Sequence, residues 1–100
     1  MEMDKMVALT TKVLNDLESN SAPIETLLPK GKIRNPWEDP ISRHLITFGI
    51  PQGFICVSLT HVWLSDSKNP DEFVDLPPRV AEFMTNFDSG LYPHLLEDHN

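Results

Sequence analysis

Apolar residues recur at helical intervals in two places along the chain. In DKMVALTTKVLNDLES, Met6, Leu9, Val13, Leu14 and Leu17 share one side, with Lys5, Lys12, Asp16 and Glu18 mostly on the other, the pattern of an amphipathic helix. It predicts a helix from about Asp4 to Glu18. Near the other end, Val80, Phe83, Met84 and Phe87 fall at i, i+3, i+4 and i+7. Pro78 suits the first position of that helix and Gly90 its end.

Punctuation residues add shorter elements between these two. Asp39 is a good N-cap, Pro40 fits the first helical position and Gly49 a stop, so a helix is predicted from Pro40 to Phe48. NSAPIETLLPKG predicts a short helix from Ala22 to Leu28, capped by Ser21 and ended before Pro29 and Gly31. Asn69, Pro70 and Glu72 have the spacing of a capping box, which predicts a helical turn from Pro70 to Asp75. KGKIRNPWE reads as a loop and holds the basic cluster Lys30, Lys32 and Arg34. LYPHLLEDHN reads as one more turn or a frayed end.

Leu45 to Ser65 contains no Asp, Glu, Lys or Arg. The stretch is long enough to cross a bilayer. Gly49, Pro51, Gln52 and Gly53 break it at the centre, however, and a broken span leaves backbone groups unpaired in hydrocarbon. Two short apolar elements folded about GIPQG against a core are the expected arrangement. Within the second element, Ile55, Val57, Thr60 and Val62 favour a strand, whereas Ile55, Leu59, Val62 and Trp63 share a helical face. With no convincing second strand to satisfy its backbone, residues 54–64 are assigned to a helix. The expected fold is therefore mainly α: a single globular domain over residues 1–100, an irregular bundle of four to six short helices. The alternative is α+β, with residues 54–64 as a strand.

Composition changes this picture little. Of 100 residues, 40% are hydrophobic and nine are proline, and the single Cys56 excludes an intramolecular disulfide. The acidic start MEMDKMVALTTK lacks the features of a signal peptide, so a cytoplasmic location is expected. Charge matters more. Residues 1–50 carry seven acidic and six basic side chains, residues 51–100 eight and two, within a net charge of −7. Such a surface is repelled by phosphate backbones and suited to a basic partner.

Candidate chemistry is sparse. Cys56 and His61 are five apart, which on one strand places them on opposite faces, and no acid between Arg43 and Asp66 is available to orient a base. His94, Glu97, Asp98 and His99 lack the sulfur and rigidity of a structural zinc site and read as solvated terminal residues. Phosphate loops, nucleotide fingerprints and nucleophile elbows are missing. No cofactor or metal is expected.

ISRHLITFGIPQGFICVSLTHVWL resembles a helix-turn-helix, with Gly49 at the turn and Ile50 after it. The resemblance implies DNA binding, which is the alternative functional reading. This stretch has Leu45 where such motifs usually have alanine. Its second helix would show Phe54, Ile55, Val57 and Trp63 where base recognition needs Arg, Lys, Asn or Gln.

The leading expectation is instead a small acidic interaction protein without catalysis: an inhibitor, adaptor, chaperone-like or immunity-type regulator. It would dock an apolar stripe with a carboxylate rim on a basic protein surface. The candidate partner-binding residues are Asp71, Glu72, Asp75, Glu82, Phe83, Phe87 and Asp88, with Trp37 as a further anchor. The aliphatic stripe of the first helix is expected either to close the core or to pair with a second copy of the chain.

Overall fold

A computed structural model describes residues 1–97. The elements are α1 (Met3–Ser19), α2 (Pro40–Thr47), β1 (Ile55–Val57), β2 (His61–Leu64), β3 (Glu72–Asp75) and α3 (Pro78–Asp88). Short 3-10 turns lie at Ile24–Thr26, Gln52–Phe54 and Pro93–Leu95. The domain is α+β, with three helices beside a three-stranded antiparallel sheet in the order β1-β2-β3. The expected bundle of four to six helices is not what forms.

The reason lies in the uncharged run. It supplies two strands rather than one helix, and so meets its own demand for backbone partners. Ile55, Cys56 and Val57 pair with Leu64, Trp63 and Val62. A two-residue connection, Leu59–Thr60, is held by Ser58: its N–H donates to the His61 carbonyl at 2.8 Å. The Ser58 hydroxyl accepts from the N–H groups of His61 at 3.0 Å and Thr60 at 3.2 Å. The helix-turn-helix is therefore not formed, because its second helix is a hairpin. The segment Pro70–Asp75 is a strand as well, not a helical turn. Asp66 captures the amides of Lys68 and Asn69, both at 2.8 Å, in a turn placed before Pro70. This frees residues 72–75 to pair with β2, Trp63 opposite Phe73 and His61 opposite Asp75.

The helices follow their patterns closely. α1 buries Met3, Met6, Thr10, Val13, Leu14 and Leu17, so its apolar stripe closes the core of its own chain. Asp39 caps α2 by accepting from the Ser42 amide at 2.8 Å, and Gly49 follows the helix at φ +106°, a conformation that suits glycine. Residues 22–28 reach only the 3-10 turn Ile24–Thr26, and Ser21 does not cap it. α3 begins at Pro78 and buries Val80, Phe83, Met84 and Phe87.

One face of the sheet forms the floor of the core: Ile55, Val57, Val62 and Leu64 are buried, with α1 packed on β2 and β3, α2 on β1, and α3 against α1. The last described residues fasten to the loop before α2. Gly31 donates to the Leu95 carbonyl and accepts from the Glu97 amide, both at 2.9 Å, while Arg43 pairs with Glu97 and Glu38.

Candidate protein-docking face

Strand alternation decides what the opposite face of the sheet presents. Because Val62 and Leu64 point inward, His61 and Trp63 point outward. Across the ladder Phe73 shares the outer side with Trp63, and Cys56 lies on it from β1. No described helix covers the β2–β3 part of this face. Phe73 is 57% and Trp63 40% exposed. Their ring centroids are 5.5 Å apart, and the His61 ring completes a triangle at 5.1 Å from Trp63 and 5.2 Å from Phe73. Exposed aromatics scattered singly are common, but three rings in mutual contact on one uncovered surface form a patch.

Carboxylates border the patch. Asp71, Glu72 and Asp75 are all exposed, in and just before the strand that carries Phe73. Across β2, toward β1, the surface falls into a groove of about 430 Å³ lined by Trp63, Cys56, Leu59, Pro36, Asp39 and Asp88, among others. Arg34 stands at this groove with φ +52°, and its amide donates to Asp88 Oδ1 at 3.0 Å.

The groove is chemically quiet. Burial, and then the neighbouring Asp39 carboxylate, push the Cys56 thiol above its ordinary pKa. Its nucleophilic thiolate is thereby disfavoured. Cys56 and His61 lie on the same face, because the turn at Leu59–Thr60 resets the parity that separates them on one continuous strand. No hydrogen bond joins them, however: His61 Nδ1 bonds to the Thr60 hydroxyl at 2.8 Å. Burial drives the Asp39 carboxyl up to about 7 against the opposing pull of its Ser42 hydrogen bonds. Among the described residues no group of three or more His, Cys, Asp or Glu could hold a metal ion. Asp98 and His99, read from sequence as solvated, lie outside the described residues. No described helix is long and apolar enough to cross a membrane.

The residues singled out from sequence divide into three groups. Asp75 shares the outer side of β3 with Phe73 and Asp71 just precedes the strand, whereas Glu72, opposite Leu64, alternates to the other side. Phe83 and Phe87 do not take part in any surface: they are 2% and 0% exposed, and their stripe lies in the core. Glu82 is exposed on α3, and Asp88 lines the groove. Trp37 is 56% exposed on the loop whose Pro36 carbonyl covers the β1 edge by accepting from Val57 at 2.8 Å. Trp63 and Leu59 emerge only from the fold. The period-two signal for Trp63 is present in HVWL, but alternation alone does not show which face is left open. No family model, curated protein or solved structure matches this chain.

Proposed function

We propose that the protein is a non-catalytic interaction domain that docks a basic partner protein on the Trp63–Phe73–His61 face. The observation that carries this reading is the cross-strand aromatic pair, left open to water on a sheet whose other face carries the core. Burying such rings against a partner contributes about 25 cal/mol per Å² of apolar area removed from water, and aromatic anchors dominate many interfaces. Asp71, Glu72 and Asp75 set the partner's sign: they attract cationic side chains and disfavour nucleic acid and other anionic surfaces. The same rim gives Arg or Lys of a partner both a ring face and a counter-charge.

The reading is tested by affinity capture from native lysate with the wild-type chain, Trp63→Ser and Phe73→Ser. Both positions are surface positions, so each variant should unfold within about 1 kcal/mol of wild type. Proteins held by the wild type and lost from both variants support the face. A capture profile unchanged in folded variants would sink it.

A further inference from the structure

The two edges of the sheet differ. At β1, the outward-facing amide of Val57 is already satisfied by the Pro36 carbonyl. At β3, the register tells which groups face out. Leu76 donates to the Thr60 carbonyl at 2.9 Å just past the last paired residues. Ladder bonds in an antiparallel pair alternate, so Val74 and Glu72 bond inward to Val62 and Leu64. Phe73 and Asp75 therefore turn their N–H and C=O groups away from the sheet. Among the described residues no hydrogen bond uses those groups. Asp71, Glu72, Phe73 and Asp75 are exposed and Val74 is half-buried, so no buried side chain closes this edge from Asp71 to Asp75.

Building on the docking reading above, we infer that β3 accepts an extended basic segment of the partner as a fourth, antiparallel strand. Edge addition of this kind takes affinity from main-chain bonds and specificity from alternate side chains. Charge selects the occupant. A second copy paired with Phe73 opposite Phe73 would set Asp71 of each chain against Asp75 of the other, and like charges across a ladder are destabilising. The carboxylates thus guard the edge against self-pairing, as edge charges do, while leaving it complementary to lysine and arginine. The register also assigns side chains. Opposite Asp75 and Glu72 the incoming strand carries Lys or Arg. Opposite Phe73 it carries an aromatic or aliphatic residue on the outer face, extending the Trp63–Phe73 row. Opposite Val74 it carries an aliphatic residue on the inner face.

The probe is a blocked peptide with the core Lys-Val-Tyr-Arg, compared with Glu-Val-Tyr-Glu, on the full chain by NMR and amide hydrogen exchange. With nine-tenths of the protein bound, exchange at the Phe73 and Asp75 amides should slow about tenfold. The acidic peptide should leave both unchanged, and N-methylation of the peptide Tyr should abolish the protection. Binding without protection of those two amides, equal binding of the acidic peptide, or no binding at about 1 mM each overturns the inference. Trp63→Ser separates it from the broader reading. Loss of binding in that variant with no wild-type amide protection leaves the face and removes the added strand. Protection that persists in the variant leaves the added strand and removes the face.

Discussion

Glu18 and Arg79 each complete the other's helix. The Glu18 carboxylate, at the end of α1, accepts from the amides of Arg79 at 2.8 Å and Val80 at 3.2 Å. It thereby caps α3, whose own preceding residue Pro77 offers no side-chain bond. In return the Arg79 guanidinium donates to the carbonyls of Glu18, Asn20 and Ala22 at 2.8, 2.7 and 3.1 Å, where α1 leaves acceptors unpaired.

Removing Glu18 strips the cap from the start of α3, and removing Arg79 strips the donors from the end of α1. Glu18→Ala and Arg79→Ala should each lower stability by about 1–3 kcal/mol, the range for charge-assisted bonds and N-caps. Urea unfolding of the double variant should show nearly the sum, because each side chain bonds backbone groups that survive substitution of the other. A double-variant loss far below the sum would contradict two separate caps.

Asp39 makes stability pH-dependent in an unusual direction for a carboxyl. Its folded pKa of about 7 lies above the ordinary 3.8, so the folded state holds a proton that the unfolded chain has released. The stabilisation is complete below about pH 4 and is lost as pH rises through about 7. Asp39→Asn keeps an acceptor for the Ser42 amide without the buried charge. Its urea midpoint should exceed wild type at pH 8 and match it near pH 4. A parallel pair of stability curves would refute the assignment.

Gly31 is required by close packing rather than by its dihedral angles. A Cβ there would sit 2.4 Å from the Pro40 nitrogen and 2.6 Å from the Asp39 carbonyl carbon, both backbone atoms that cannot swing aside. Gly31→Ala should lower stability by about 1–3 kcal/mol or more. It should also release the fastening of Leu95 and Glu97, seen as faster amide exchange at Gly31 and Glu97.

Thr10 is fully buried in α1, and its hydroxyl has no hydrogen-bond partner among the described residues. Thr10→Val replaces that hydroxyl with a methyl group of similar shape. Relief of an unsatisfied buried group should stabilise by about 1 kcal/mol. A lower thermal midpoint would show that the hydroxyl has a partner after all.

How much was legible depended on whether the signal was local. α1 was plain because its apolar stripe meets the core from Met3 to Leu17. The Asp39 cap and the stops at Gly49 and Gly90 were readable because each acts within one turn. The hairpin was not, since its connection, Ser58 to His61, contains no Gly, Asn, Asp or Pro. A serine hydroxyl does the work those residues usually do. β3 was hidden for a related reason. Asn69, Pro70 and Glu72 imitate a helix start, but Asp66 takes the Asn69 amide first, and pairing with β2 decides the rest. Phe83 and Phe87 show the limit for sites. An apolar stripe indicates that something covers it, and only the tertiary arrangement shows that the cover is the chain itself. The open face required the same knowledge in reverse, because Trp63 stands out only once Val62 and Leu64 are known to point inward.

The protection that the carboxylates give β3 has a finite reach. The screening length shrinks from about 10 Å in 0.1 M electrolyte to about 3 Å at 1 M, while excluded salts such as sulfate strengthen apolar association. Concentrated ammonium sulfate should therefore turn a repulsive edge into an adhesive one and populate β3-to-β3 dimers that dissolve again on dilution. An assembly state read in concentrated ammonium sulfate would thus differ from the one this protein holds in dilute buffer.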